Sequence, residues 1–178
     1  RYGRRQRQMC IRDRSTVRTL CDKYDILLIL DEVATGFGRT GKMFACEHDA
    51  ITPDMLILGK GLTGGYLPLS ATITTNEIFE TFLGDYEELK AFFHGHSYSG
   101  NPLSCAAAIA NIEIFEEEKT LESLKEKIAI FEDELKEFKG LSNVASIRNK
   151  GLMAGIDLKL NVDELSLIHI SEPTRHES

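Results

Sequence analysis

The chain has 178 residues, of which 42% are hydrophobic and 28% charged, and its formal net charge is −7. These values describe a globular protein and give one domain as the first expectation from length. No apolar run approaches the roughly 18 residues of a membrane-spanning helix, and the N-terminus lacks the apolar core of a signal peptide, so we expect a cytoplasmic protein. Four widely spaced cysteines without a C-x-x-C pair indicate neither a disulfide framework nor a zinc site.

The two ends of the chain differ in character from the sequence between them. Residues 1–14 are strongly basic without apolar periodicity, and residues 165–178 follow a strand-like segment without a linker. Codons that spell LSLIHI (165–170), read on the complementary strand in a shifted frame, spell MCIRD (9–13). We therefore expect both ends to be translated sequencing adaptor. The alternative for the first end is a basic arm that binds nucleic acid.

The charge of the remaining chain bears on its partners. The first fourteen residues carry a net +5 and the last fourteen a net −1, which leaves −11 for residues 15–164. An acidic body of this kind argues against a nucleic-acid partner. The lack of a long apolar run argues against a membrane partner.

The first half of the body reads as strands joined by a crossover. Residues 15–25 predict the end of a helix, and ILLILD (26–31) is a short apolar run typical of a strand buried on both faces of a parallel sheet. MLILGK (55–60) is a second such run, and the β-branched LSATITT (69–75) predicts a third strand. Because the helix-like MFACEHD lies between the first two runs, we expect a β-α-β crossover.

The second half predicts two long helices and then more strands. Residues 102–118 form the first helix, with Pro102 suited to its first turn and small residues where it packs closely. Residues 120–139 form the second helix, with one apolar stripe and a stop at Gly140. The alternating pattern of residues 143–160 predicts strands that begin a second region. The fold class is therefore α/β.

The stretch LLILDEVATGFGRTGKM (27–43) invites interpretation as a nucleotide site. An acidic pair, Asp31 and Glu32, precedes a Gly-x-x-x-x-Gly-Lys pattern. A phosphate-binding P-loop requires Ser or Thr after its lysine to reach Mg²⁺, but this chain has Met43 there, and the acidic strand directly precedes the glycines. We therefore reject the ATPase interpretation.

Asp31 and Lys60 each end a predicted parallel strand, at the edge where open α/β sheets bind ligands. One interpretation is a partly buried salt bridge. The other follows from the glycines around Lys60 in GKGLTGG (59–65), which leave space for a bulky ligand. A lysine desolvated there is a nucleophile able to form a Schiff base with an aldehyde, and pyridoxal phosphate needs such a lysine together with an aspartate at its ring nitrogen.

The segment HGHSYSGNP (94–102) is a candidate for holding a phosphate. It supplies glycines, the hydroxyls of Ser97 and Ser99, and a following helix N-terminus, all of which favour an anion. A simple turn and helix cap is an equally open interpretation. His94 and His96 could suggest a metal, but the sequence places no carboxylate or cysteine near them at ligand spacing, so we expect no metal site.

Three segments together resemble a known family. LLILDEVATGFGRTGKMFACEH, PDMLILGKGLTGGYLPLSAT and FFHGHSYSGNPLSCAAA, in this order and with 29 residues from Asp31 to Lys60, are similar to the class III, fold-type I pyridoxal-phosphate aminotransferases. The similarity covers nearly all of residues 15–158. Ala34, where many relatives with other substrates carry Gln, and the sequence after Lys60 favour one particular member of that class.

The resemblance implies roles for residues of the first two segments. Asp31 pairs with the pyridine nitrogen of pyridoxal 5'-phosphate, and Val33 lies against the ring. Lys60 forms the covalent link to the cofactor and then moves a proton between the substrate carbon and the cofactor.

The third segment implies a shared active site. Gly95 lies at the substrate, while His96 and Ser97 reach the cofactor phosphate of the neighbouring subunit in a homodimer. Some members have Pro-Thr in place of His96-Ser97, and Ser keeps the hydroxyl.

The resemblance also implies the extent of the chain within its parent. Residues 15–140 correspond to the later part of the large cofactor domain, and residues 141–164 to the start of the small C-terminal domain. The substrate-carboxylate arginine and the upstream phosphate-binding residues of the family have no counterpart here. We therefore expect the chain alone to be inactive. The alternative from another class is a non-catalytic α/β binding module.

Overall fold

The computed structural model describes residues 11–159, with side chains from Arg14 onward. The described residues divide into two compact units, with the boundary between Lys125 and Glu126. The first turns of helix α4 (Thr120–Glu137) belong to the first unit, in which the Leu124 side chain lies close to Gly38: a Cβ added at Gly38 would lie 2.5 Å from Leu124 Cδ1. The expected division near residue 140, and the adaptor origin of the chain ends, stay predictions. Within residues 11–159, no helix is both long and apolar enough to cross a membrane.

The first unit is built on a three-stranded mixed sheet in the order β1-β2-β3. β1 and β2 are parallel, as predicted, and Asp31 lies opposite Ile57. β3 runs antiparallel to β2. The elements of this unit are α1 (Ile11–Tyr24), β1 (Ile29–Asp31), β2 (Met55–Leu58), β3 (Ala71–Thr74), α2 (Asn76–Glu80) and α3 (Pro102–Glu117).

Strand β1 is shorter and more exposed than the sequence predicts. The apolar run at residues 26–31 was expected to be buried on both faces, but Ile26, Leu27 and Ile29 are 56%, 55% and 52% exposed. The expectation is wrong for this chain because β1 forms an edge of the described sheet, so these side chains lack neighbours on one side.

The connection between β1 and β2 is not the predicted α-helical crossover. Residues 32–44 form turns, and MFACEHD yields only a 3₁₀ helix, Ala45–Asp49. The backbone amides of Ala45 and Cys46 are hydrogen-bonded to the Glu32 carboxylate at 3.1 and 2.8 Å. Both amides lie at the start of the 3₁₀ helix, where the backbone supplies no acceptor for them, so the Glu32 carboxylate caps this helix.

The core of the first unit lies between the sheet and α3. Leu58 at the end of β2, Leu62 just beyond it and Ala108 of α3 are buried together. Burying a leucine contributes roughly 1.5–3 kcal/mol. Ser104 and Ala108, one helical turn apart, are the buried residues of α3, which confirms the prediction that small residues mark its packing face. The partly buried side chains that surround this cluster are Phe37, Phe44, Leu56, Leu69 and Ala71.

The second unit consists of the later part of α4 (Thr120–Glu137) followed by an antiparallel hairpin of β4 (Val144–Lys150) and β5 (Met153–Leu158). Leu135 on the apolar stripe of α4 is buried, as predicted. The helix ends at Glu137, and a 3₁₀ turn runs on to Gly140. The predicted strand pattern after Gly140 is thus confirmed as a hairpin.

Asp54 joins three elements at the N-terminal end of the sheet. Its Oδ2 accepts hydrogen bonds from the Arg18 guanidinium of α1 at 2.8 Å and from the Leu28 amide, just before β1, at 2.6 Å. These contacts hold the pKa of the Asp54 carboxyl below its ordinary value, the Leu28 amide most strongly. Arg18 in turn has its pKa raised, chiefly by the Asp54 hydrogen bond.

We predict that Asp54→Asn lowers the free energy of unfolding by about 1–2 kcal/mol at neutral pH, because the Arg18 guanidinium loses one of its two carboxylate partners and keeps only Asp22, at 2.7 Å. Since folding lowers the pKa of Asp54, its stabilisation is fully present above the ordinary carboxyl pKa and is lost as pH falls through the folded-state value. The difference between wild type and variant should therefore shrink in acid. Urea unfolding at neutral and acidic pH measures it.

Asp133→Asn is the matched control, because Asp133 forms an exposed i,i+3 pair with Lys136 on α4. Exposed pairs of this kind contribute little. Equal effects of the two substitutions would contradict the assignment to Asp54.

Candidate active site

Lys60 lies directly beyond the C-terminal end of β2. It begins a 3₁₀ turn, Lys60–Thr63, which we call the lysine turn. The φ of Lys60 is 46°, in the left-handed region that non-glycine residues rarely adopt. Strain of this kind persists only where the surrounding structure enforces it, and it is concentrated at functional sites.

The lysine turn is held from three sides. The Nδ2 group of Asn111, on α3, donates hydrogen bonds to the carbonyls of Gly61 at 2.9 Å and Leu62 at 3.2 Å. The buried Thr63 hydroxyl donates to the carbonyl of Leu67 at 2.5 Å. Phe37 closes the third side, because a Cβ on Gly61 would lie 2.7 Å from the Phe37 Cβ. These contacts fix the backbone from which Lys60 projects.

Lys60 lines a cavity of about 970 Å³ that belongs wholly to the first unit. This volume is in the range of sites for small organic ligands. Val33 and Leu67 contribute apolar walls, and His96 and Ser99 contribute polar groups. The remaining lining residues are Gly59, Thr63, Gly65, Tyr66, Pro68, Leu69, Ser70, Tyr98, Gly100, Asn101 and Ser104.

The Lys60 side chain itself is exposed. The desolvation expected for Lys60 is therefore not found in the described structure. The glycines leave space, as expected, but space beside a lysine admits water unless a ligand or another part of the protein fills it.

Asp31 and Glu32 are neighbours with opposite environments. The exposed Asp31 lies at the end of β1, and its Oδ1 accepts a hydrogen bond from the Val33 amide at 2.9 Å. Glu32 is 3% exposed, and its carboxylate accepts hydrogen bonds from the two amides of the 3₁₀ helix described above and from the Thr35 hydroxyl. Asp31 is thus available to a ligand, whereas Glu32 is committed to structure.

Cys46 lies in the same buried region as Glu32. Burial raises the pKa of its thiol, and the negative charge of Glu32 adds to the effect. A thiol in this setting is a packing group rather than a nucleophile.

The glycine-rich segment that resembled a P-loop is a compact turn. The Phe37 amide donates to the carbonyl of Met43 at 2.6 Å, and the Phe37 ring packs edge-on against Phe44 with centroids 5.7 Å apart. Gly38 and Gly41 supply its positive φ angles of 82° and 91°. The segment leads into the 3₁₀ helix and supports the lysine turn from below through Phe37.

The predicted phosphate segment lies partly at the cavity. His96 and Ser99 line it, and the His96 amide donates to the Ser99 hydroxyl at 3.2 Å. At the start of α3, Asn101 Oδ1 accepts hydrogen bonds from the backbone amides of Leu103 at 3.0 Å and Ser104 at 3.3 Å. This end of the helix therefore has the side-chain cap that the alternative interpretation predicts. Among the described residues, no three His, Cys, Asp or Glu side chains form a group suited to a metal ion.

The structure brings three of the predicted site residues, Val33, Lys60 and His96, to one cavity. It leaves Asp31, Gly95 and Ser97 outside that lining, although Asp31 lies on the strand paired with β2. Sequence reasoning did not find Asn111. Its only signal was a polar residue in the otherwise small and apolar stretch AAAIANI, which is compatible with an exposed position as well.

Comparison with known proteins agrees with this geometry. A model of the family described as "Aminotransferase class-III" matches residues 14–173, and the chain belongs to that family. Both the predicted family and the α/β fold class are confirmed. Class III aminotransferases use pyridoxal 5'-phosphate.

Three relatives show how far the similarity extends. The adenosylmethionine-8-amino-7-oxononanoate aminotransferase of Aquifex aeolicus is 58% identical over 142 residues, which are 80% of this chain and 31% of the relative. The crystal structure of the enzyme of that name from Methanocaldococcus jannaschii is 53% identical, with a TM-score of 0.77 over 80% of this chain and 33% of its own. The omega-amino acid–pyruvate aminotransferase of Pseudomonas putida is 40% identical over 143 residues, 79% of this chain and 32% of the relative. The chain thus spans about a third of the length of these proteins.

The residues present fit the family's cofactor. Lys60 offers an amine to the cavity, Val33 offers an apolar contact for a ring, and His96 and Ser99 offer polar groups. The cavity volume of about 970 Å³ leaves room for a substrate beside the cofactor.

We predict that Gly61→Ala destabilises the chain by about 1–3 kcal/mol, because the added methyl group would overlap the Phe37 Cβ and force the lysine turn away from its support. Chemical denaturation measures the change. Gly140→Ala serves as control, since a Cβ there meets no atom within 4 Å. A wild-type stability for Gly61→Ala would show that Phe37 does not hold the turn.

Proposed function

We propose that this chain is the lysine-bearing portion of a pyridoxal-phosphate aminotransferase that makes 7,8-diaminononanoate in biotin synthesis. The amino donor is S-adenosylmethionine and the acceptor is 8-amino-7-oxononanoate. The proposal is supported by the names of relatives that are 46–58% identical. Ala34 and the sequence that follows Lys60 favour the same member of the family.

The observation that carries the proposal is the position of Lys60. A lysine in a strained backbone conformation, fixed by three contacts and facing a large cavity at the end of a parallel strand, suits covalent attachment of an aldehyde cofactor. A lysine of a structural salt bridge would need a carboxylate partner. Among the described ion pairs, none includes Lys60.

The bound cofactor supplies an aldehyde for attachment to an amine and a ring that withdraws electrons from the substrate carbon. Lys60 would hold that aldehyde through its Nζ, and the same amine, when free, would move a proton at the substrate carbon. Both half-reactions move a proton at one carbon, so one lysine serves both. Asp31 holds the positive charge of the ring nitrogen, and Val33 packs against the ring.

The remaining site residues are proposed to act in an assembled enzyme. His96 and Ser97 hold the cofactor phosphate across the interface of a homodimer, and Gly95 leaves space for the substrate. All three lie in residues 91–100, each of which is exposed, and this exposure is compatible with a partner subunit packing there. We also propose that the enzyme acts in the cytoplasm.

The second candidate is an aminotransferase that acts on an ω-amino acid such as ornithine or 4-aminobutyrate. It is favoured by the 40% identity to the omega-amino acid–pyruvate aminotransferase. The same lysine, aspartate and cavity would serve it, because the cofactor chemistry is shared. The two functions differ in the substrate groups that the cavity must hold.

An exchange enzyme tests these proposals. In it, the 142 aligned residues of this chain replace their counterparts in the Aquifex aeolicus relative. We predict that it binds the cofactor with visible absorbance and that Lys60→Ala abolishes this absorbance and lowers turnover by at least about 10⁴-fold, since the nucleophile and proton carrier are lost. Lys90→Ala, at an exposed lysine paired with Glu88, is the control. Retention of the lysine-linked absorbance in Lys60→Ala would overturn the enzyme assignment.

A donor screen on the exchange enzyme separates the candidate substrates. We expect turnover of 8-amino-7-oxononanoate with S-adenosylmethionine, and lysine is tested beside it as an alternative donor. Turnover with ornithine or 4-aminobutyrate and none with S-adenosylmethionine would instead select the second candidate. The isolated 178-residue chain is expected to show no transaminase turnover.

A further inference from the structure

Asn111 is the one side chain of α3 that hydrogen-bonds to the lysine turn in the described structure. It lies 50 residues from Gly61 in sequence, and its Nδ2 group donates to two successive carbonyls, Gly61 at 2.9 Å and Leu62 at 3.2 Å. These are the carbonyls of the two residues that follow Lys60. The side-chain amide of Asn111 therefore binds the backbone directly after Lys60.

The other atom of the Asn111 amide also faces the turn. A Cβ on Gly64 would lie 3.1 Å from Asn111 Oδ1, and Gly64 has a φ of 61°. The backbone from Gly61 to Gly64 thus passes over both ends of this one amide. A side chain at position 111 must be short enough to fit under this backbone and must carry two N–H donors to bond both carbonyls, of which the Gly61 carbonyl also accepts a hydrogen bond from the Gly64 amide at 3.2 Å.

The strain at Lys60 explains why such a grip is needed. A left-handed conformation at a non-glycine residue is strained, so an unrestrained turn would relax to an ordinary φ. Relaxation at the backbone swings the Cα–Cβ bond and with it the direction in which the long lysine side chain projects. Thr63 and Phe37 hold the far end and the floor of the turn, but Asn111 alone bonds the carbonyls of Gly61 and Leu62 among the described side chains.

We propose that Asn111 is a positioning residue that holds Lys60 in its strained conformation and directs the Nζ group at the reacting carbon. Asn111 does not line the cavity and acts only through the turn. The inference rests on the proposed function, because it assigns a role to Asn111 through the cofactor-linked lysine.

Asn111→Asp in the exchange enzyme tests the proposal. The substitution keeps the shape of the side chain but replaces two donors by an acceptor that faces carbonyl oxygens. We expect kcat to fall by about 100-fold, as for a displacement of about 1 Å at a catalytic group, while KM for the amino acceptor stays within about threefold. We also expect the pH at which the lysine-linked cofactor absorbance titrates to shift, because the surroundings of Nζ change.

Asn149→Asp is the matched control. The Asn149 Nδ2 group donates to Glu132 Oε1 at 2.9 Å in the second unit, so the substitution likewise turns a donor into an acceptor against an oxygen. We expect kcat, KM and the absorbance titration to be unchanged. Asn111→Ala is the second variant. Because alanine is favourable in the middle of a helix, it secures a folded protein even where Asn111→Asp unfolds, and it should show the same split between kcat and KM.

The outcomes separate this proposal from the proposed function. An unmoved titration in both Asn111 variants, with kcat lowered only in proportion to folded protein, would assign Asn111 to structure alone and overturn the inference. In that event, loss of the lysine-linked absorbance in Lys60→Ala would still support the proposed function. Persistence of that absorbance in Lys60→Ala would refute the proposed function itself.

Discussion

The parallel pairing of β1 with β2 is the constraint on which the candidate site depends. It places Asp31 opposite Ile57, and the pairing continues one residue further through the hydrogen bond from the Glu32 amide to the Ile57 carbonyl at 2.9 Å. Lys60 follows Ile57 by three residues. Because parallel strands end at the same edge, the carboxylate and the amine emerge on one side of the sheet. A shift of register by two residues would leave each group without the other.

Some residues at this edge are exposed to a ligand, and others are buried and form structural hydrogen bonds. Asp31 and Lys60 are exposed and free to meet a ligand, whereas Glu32 and Thr63 are buried and bonded to backbone groups. Asp31 and Glu32 differ because successive side chains at a strand end point to opposite faces. Lys60 and Thr63 lie at the two ends of the lysine turn, where this strand alternation does not apply. Each of the two segments therefore supplies both an exposed side chain and a hydrogen bond that fixes the backbone.

Local patterns predicted most of the fold. The strands at β2 and β3, the two long helices and the final hairpin follow from apolar periodicity and from Pro102 and Gly140, which act within a few residues. The cap on the 3₁₀ helix Ala45–Asp49 could not be predicted in this way, because the Glu32 carboxylate reaches amides 13 and 14 residues away.

The sequence predicted candidate site residues but not Asn111, which holds the lysine turn. Asp31 and Lys60 were predicted from strand ends and glycines, which are visible in sequence, the family resemblance supplied Val33 and His96, and the roles of all four stay predictions. The exposure of Lys60 and the contact from Asn111 depend on how distant elements pack. A hydrogen bond that spans 50 residues leaves no spacing pattern to find.

The contacts of Asp54 have a consequence for how such a protein can change over time. Asp54 joins α1, the entry to β1 and the start of β2 at one end of the sheet, while Lys60 leaves β2 at the other. The stabilising contacts of Asp54 and the proposed cofactor lysine, Lys60, thus lie beyond opposite ends of the same four-residue strand, β2. Substitutions of residues that line the cavity can therefore change which substrates fit there without disturbing the Asp54 contacts. A family with this arrangement can acquire new substrates in evolution while its fold stays stable.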